Sequence, residues 1–155
     1  MRKRLATILA TLMVSFGLTA VGTLALAPVA NAAGECGSGY SHLKSYAVYK
    51  GSLRTSTIEV YWNGTKKYNC VINRAYGSTV GVGMYRGIYV KRSSQSVPNC
   101  SSTDIRCDVG YFYYYAGPAY VYAPSACIDV YAWNDKYQKF GSGLGARLLL
   151  NVHCG

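Results

Sequence analysis

The chain has 155 residues, with 16 Lys/Arg against 6 Asp/Glu, a net charge of +10, 16 tyrosines and 6 cysteines. So few acids are poor stock for an acid–base enzyme. No apolar run after the first thirty or so residues is long enough to span a bilayer, which excludes a second membrane segment of the helical kind.

The chain opens on a targeting pattern. Arg2, Lys3 and Arg4 form a positive region and Leu5 to about Ala27 an apolar run. Ala30-Asn31-Ala32 then places small residues where a signal peptidase reads. Residues 1–32 are expected to be a cleaved signal peptide of the general secretory route, with 33–155 a single secreted domain. A transmembrane anchor is the rival, since the run nears ~20 residues. Gly17 and Gly22 lower its hydrophobicity, and Pro28 ends it before the Ala-x-Ala site. The remaining 123 residues keep 13 Lys/Arg against 6 Asp/Glu and are enough for one domain with a real core.

All six cysteines lie there: Cys36, Cys70, Cys100, Cys107, Cys127 and Cys154. An even number in an exported chain reads as three disulfides, with the pairing open. A zinc site is disfavoured, because no Cys-x2-Cys pair occurs and His42 and His153 are far apart. The positive charges are dispersed, with only Lys66-Lys67 and Lys91-Arg92 adjacent. Dispersed charge favours solubility and general attraction to polyanions; the sharper reading is contact with an anionic cell wall, membrane surface or nucleic acid.

Ala33–Tyr40 is glycine-rich and non-helical, tied down by Cys36. In Ser41–Ser52, Tyr46, Val48 and Tyr49 fit a short strand. Ile58, Val60 and Trp62 then alternate with Glu59 and Tyr61, and Asn63-Gly64 separates them from a second run ending Cys70-Val71-Ile72. That pattern predicts a hairpin with a type I′ turn at Asn63-Gly64. Thr79–Lys91 predicts two short strands, with Gly81, Gly83 and Gly87 marking bulges or close backbone approach. The polar stretch Arg92–Asp108 predicts an exposed loop closed by a Cys100–Cys107 bridge.

Tyr111–Trp133 is the most β-like stretch, aromatic and β-branched, without a single Lys or Arg. It predicts central strands at Val109–Tyr115, Ala119–Ala123 and Ala126–Trp133, broken at Ala116-Gly117-Pro118 and Ala123-Pro124-Ser125. In the third, Cys127, Asp129, Tyr131 and Trp133 share one face and Ile128, Val130 and Ala132 the other. Asn134–Gly145 predicts a loop and Ala146–Val152 a last strand. A short helix at Leu144–Leu150 is opposed by Gly141, Gly143 and Gly145. The whole is all-β: a small disulfide-stabilised antiparallel sandwich or partly open barrel.

No catalytic constellation stands out. His42 and His153 are the only histidines, and no Gly-x-Ser-x-Gly elbow exists. Asp129 and Glu59 are the only pair of acids worth weighing for glycoside hydrolysis, and nothing in their spacing is diagnostic. Asp129, between Ile128 and Val130, is a structural acid to watch, since a buried acid needs a partner. No catalytic residue, cofactor or metal is therefore expected. The tyrosines suit cross-strand ladders and core packing, or recognition of sugars, peptides or bases. Tyr113, Tyr115, Tyr120 and Tyr122 would form the binding surface, Tyr113 and Tyr115 on one strand face and Tyr120 and Tyr122 on the next. Nucleic acid is not an expected partner, because stacking and charge do not interleave there.

Tyr115-Ala116-Gly117-Pro118-Ala119-Tyr120-Val121-Tyr122-Ala123-Pro124, then Cys127-Ile128-Asp129, resembles the spore-associated protein A family of secreted actinobacterial proteins. Cys36-Gly37-Ser38-Gly39-Tyr40 and Asn69-Cys70-Val71 also fit. The resemblance implies a small protein released from, or held on, spores and aerial hyphae, with no established enzymatic activity. It implies that Cys36, Cys70, Cys127 and Cys154 match the family's four cysteines, and proximity pairs them Cys36–Cys70 and Cys127–Cys154. Cys100 and Cys107 are then an extra pair, and Val130 stands where the family pattern has Trp. The expected function is non-enzymatic association with the spore or cell envelope through a tyrosine-rich basic domain, with an anionic envelope polymer as partner. The alternative is a secreted hydrolase, or an enzyme inhibitor presenting the Cys100–Cys107 loop with Arg106 exposed.

Overall fold

A computed structural model of the chain describes residues 34–135 and 145–154. The expected signal peptide and most of the Asn134–Gly145 loop lie outside them. Among the described residues, eight strands form two four-stranded sheets: β1 (Ser41–Lys50), β2 (Leu53–Asn63), β3 (Tyr68–Ala75), β4 (Met84–Arg92), β5 (Cys107–Phe112), β6 (Tyr115–Tyr122), β7 (Ile128–Asp135) and β8 (Ala146–Val152). The first sheet runs β1-β2-β3-β6 and the second β5-β4-β7-β8. Every pairing is antiparallel. The fold is thus an open sandwich and not a barrel.

Alternation builds the core between the sheets. Val48, Ile58, Val60 and Val71 face Ile88, Val90, Ile128, Val130 and Ala132, with Ala116, Ala119 and Val121 of β6 between them. Ile128, Val130 and Ala132 point inward as the period-two pattern requires. Most of these are β-branched or small side chains; Leu149 joins them, and Tyr46 and Phe112 pack against them. Of the two structural roles expected of the tyrosines, cross-strand ladders are found, with Tyr68 opposite Tyr122 and Tyr89 opposite Tyr131, while the buried Tyr40, Tyr61 and Tyr89 lie outside the interlayer core. A second, smaller cluster lies on the outside of the first sheet. There Cys36 and Tyr40 of the N-terminal segment cover Tyr61, Cys70 and Ile72.

Four local expectations are corrected. Asn63 and Gly64 do not form a two-residue turn: Asn63 pairs with Tyr68 across a loop of residues 64–67, and the positive φ falls on Lys67. The Asn63 side chain accepts from the backbone N–H groups of Thr65 and Lys66, which favours this wider turn. Thr79–Lys91 is one strand, β4, preceded by a single 3-10 turn at Gly77–Thr79. The chain leaves one sheet for the other at Tyr113-Tyr114, while Ala116-Gly117-Pro118 lies within β6 over a cis Gly117–Pro118 bond. Tyr113 and Tyr115 therefore do not share a strand. Finally, the Tyr111–Trp133 stretch supplies two edge strands, β5 and β6, and only one interior strand, β7.

One end of the sandwich is closed by polar side chains. Arg86 has the same inward parity as Met84 and Ile88 and is fully buried. It donates to Asn134 Oδ1 at 2.6 Å and to the Thr79 carbonyl at 3.2 Å. The Asn134 amide donates onward to Ser56 Oγ, and Asn73 donates to the Gly87 and Trp133 carbonyls. The disulfides are Cys36–Cys70, Cys100–Cys107 and Cys127–Cys154.

Candidate functional site

The chain between β4 and β5 folds back over the edge of the sandwich. Local hydrogen bonds shape it: the Gln95 N–H donates to the Arg92 carbonyl, and the Gln95 side chain accepts from Arg92 N–H. Asn99 Oδ1 accepts from Ser101 N–H, and Asp104 Oδ1 from Arg106 N–H. Backbone bonds pin the loop to the sandwich, from Tyr120 N–H to the Ile105 carbonyl (2.7 Å), from Val90 N–H to the Arg106 carbonyl (2.9 Å) and from Ser93 N–H to the Cys127 carbonyl (3.0 Å). The Cys100–Cys107 bridge closes it.

Between this loop and β6 lies an open cleft of about 800 Å³. Tyr68, Tyr120 and Tyr122 line one side, and Arg92, Gln95, Ser96, Asn99 and Ser101 are among the residues of the other. Register places the tyrosines, since Tyr68 lies opposite Tyr122 and Cys70 opposite Tyr120. The Tyr68 and Tyr122 rings are 5.4 Å apart. Tyr120 is held by the Tyr40 ring at 5.8 Å, and its hydroxyl donates to the Cys36 carbonyl at 3.3 Å. Burial pushes the Tyr120 phenol above its ordinary pKa. The Nε–H of Arg92 is buried and has no hydrogen-bond partner among the described residues.

Of the four tyrosines singled out, the structure brings Tyr120 and Tyr122 together and separates the other two. Tyr113 lies at the bend between the sheets, its ring 5.9 Å from Tyr111. Tyr115 starts β6 with the Arg74 guanidinium 5.6 Å from its ring. Tyr68 was missed. Its signal was its parity with Cys70 at the start of the second hairpin strand.

Asp129 accepts from Lys91 Nζ at 2.6 Å, from Ser93 Oγ at 2.6 Å and from Asn151 N–H at 3.0 Å. Burial alone would raise its pKa, but these three donors outweigh it and hold the carboxyl below its ordinary value. Glu59 is likewise bound, to Arg74 at 2.9 Å and to the Tyr61 hydroxyl at 2.9 Å. His153 Nε2 is 3.1 Å from the Tyr46 hydroxyl, and His42 Nε2 is 2.9 Å from Ser45 Oγ. Each acid is thus satisfied by a cation, and neither histidine meets Asp129. Asp129 lines neither the loop cleft nor two smaller depressions, one at the sandwich mouth beside Trp62, Asn69 and His153, the other beside Tyr89 and Trp133. Arg106 is not the free arginine an inhibitor loop was expected to present: Asp104 binds it at 2.7 and 2.9 Å.

Spore-associated protein A of Streptomyces coelicolor is 31% identical to this chain over 150 residues, covering 86% of each protein. The chain belongs to the spore-associated protein A family. No family model matches it, and no solved structure does. The likeness to spore-associated protein A extends over most of the domain, well beyond the Tyr-Ala-Gly-Pro patch. That relative is named for its association with spores. Among the described residues, no helix is long and apolar enough to cross a membrane.

Proposed function

We propose that this protein is a non-enzymatic, secreted component of the spore or cell envelope that binds or coats through its tyrosine-bearing outer faces and its surplus of positive charge. The observation that carries the reading is the segregation of the tyrosines. The interlayer core is mainly Val, Ile and Ala, with Tyr46 packed against it, while Tyr111, Tyr113 (54% exposed), Tyr114 and Tyr122 (50%) stand in solvent. Several of them are contiguous: Gly81 N–H donates to the Tyr113 carbonyl and Ala75 N–H to that of Tyr114, so exposed Tyr76, Val80 and Val82 adjoin them. Contiguous exposed apolar surface marks an interaction face.

Charge supports the same reading. Glu35, Glu59, Asp104 and Asp129 are held in ion pairs. Lys44, Lys50, Lys66 and Lys67 are exposed and form no ion pair among the described residues. The unmatched field is therefore positive and suits an anionic envelope polymer. The relative's name agrees with this location. The test is co-sedimentation of the purified protein with washed spores and envelope fragments. Retention is expected at low salt and should fall toward about 1 M salt, where screening shortens to about 3 Å. Absence of retention at every salt concentration would overturn the proposal.

A further inference from the structure

We infer that the cleft between the β4–β5 loop and β6 is a glycan-binding site, taking a chain of β-linked pyranose sugars; this rests on the envelope reading and names the partner's chemistry. Tyr120 and Tyr122 project from the same side of β6, two residues apart, which spaces them by about 7 Å along the strand. That is the scale of one sugar ring. Tyr68 stands beside Tyr122 and widens the aromatic side to three rings. An aromatic ring offers the apolar face of a pyranose a flat partner, and the phenols of Tyr68 and Tyr122 add hydroxyls at its rim, that of Tyr120 being held by Cys36.

The opposite side supplies what a sugar's hydroxyls need. Gln95 and Asn99 present amide NH2 donors, their oxygens being held by the N–H groups of Arg92 and Ser101, and Ser101 presents a hydroxyl. The buried Nε–H of Arg92 is a donor still without a partner among the described residues. The site is an open cleft and not a closed cavity, so a chain can run through it.

Two rivals fit less well. A peptide adding as a strand needs free N–H groups along the edge of β6. Gly117 N–H is bound to Asp108 Oδ2 at 2.6 Å, Pro118 has none, and Tyr120 N–H is bound to the loop. A single-stranded nucleic acid needs a row of cations along the stacking rings. Among the described residues, Arg92 and Arg106 are the cations lining the cleft, and Arg106 is already bound by Asp104.

The test uses the purified, oxidised protein with two soluble probes, the N-acetylglucosamine tetramer and cellotetraose, followed by calorimetry and tyrosine fluorescence. Binding of either tetramer is expected. Tyr122→Ala should weaken it by about tenfold, the scale of one lost aromatic partner, while Tyr122→Phe retains most of it. Tyr49→Ala, a change at an exposed tyrosine on β1, should leave it unchanged. Circular dichroism establishes that each variant is folded. Failure of both tetramers to bind at millimolar concentration, or Tyr122→Ala binding as well as wild type, overturns the glycan site. If envelope sedimentation persists in that case, only the glycan assignment fails. If tetramers bind but envelopes do not sediment the protein, the glycan site stands and the envelope reading falls.

Discussion

The indole of Trp133 lies against the bare Cα of Gly87, its direct partner across the β4–β7 pairing. A Cβ at position 87 would collide with the six-membered ring of that indole. Trp133 in turn stacks on Tyr131, with centroids 5.3 Å apart, and Tyr131 meets Tyr89. One missing methyl group thus seats a row of aromatics on the outside of the second sheet.

Gly87→Ala should therefore destabilise the fold although alanine has the better intrinsic strand geometry. The expected loss is on the order of 2 kcal/mol, typical of overpacking. Denaturant unfolding followed by tryptophan fluorescence measures it. An unchanged midpoint would show that the ring has room to move.

The Lys91–Asp129 pair joins β4 to β7 in a buried position. Asp129→Asn leaves the Lys91 ammonium buried beside a neutral group, at a cost on the order of 3 kcal/mol. The pH dependence has a definite sign. Asp129 has its folded pKa depressed below its unfolded value, so its contribution is complete above the unfolded pKa of about 4. It is lost as pH falls through the lower folded value. Melting temperatures of wild type and Asp129→Asn should accordingly differ at neutral pH and converge in acid.

Arg86 is buried at the polar end of the sandwich, and burial pushes its pKa down. Its fork reaches both Asn134 and the Thr79 carbonyl. Lysine keeps the charge but lacks the fork. Arg86→Lys should cost on the order of 2 kcal/mol, the scale of a buried acceptor left unmade, read as a lower melting temperature.

The disulfides should differ in weight. Cys36–Cys70 closes 34 residues and holds the N-terminal segment over Tyr61 and Ile72, whereas Cys100–Cys107 closes only 7. Chain entropy favours the longer loop, with about 3–4 kcal/mol against about 2–3. Replacing both cysteines of each pair by serine and comparing melting temperatures tests the order. The Cys36/Cys70 variant should also lose the Tyr40–Tyr120 contact, which tyrosine fluorescence reports.

Much of this architecture is written in alternation. Ile128, Val130 and Ala132 reveal the inward face of β7, and Ile58 and Val60 that of β2, because a strand facing a core repeats every two residues. The same rule held the clue to Arg86, which shares parity with Met84 and Ile88, but a lone cation in an apolar series reads more readily as outward. Alternation does not say which sheet a strand joins. The crossing at Tyr113-Tyr114 was hidden because both flanks are equally strand-like, while Gly117-Pro118 looked like a break and is accommodated at a sheet edge. The cleft was half legible. Tyr120 and Tyr122 stood out, whereas the loop facing them is positioned by single backbone bonds, such as Tyr120 N–H to Ile105, that no local pattern announces.

The most direct measurement is sedimentation of wild type and a Tyr120→Ala/Tyr122→Ala double variant with washed spore and envelope preparations, at low salt and at matched protein concentration. The tyrosine-bearing surface is expected to carry retention, so the folded double variant should remain largely in the supernatant while wild type pellets. Equal pelleting of the two proteins would contradict a binding role for these tyrosines.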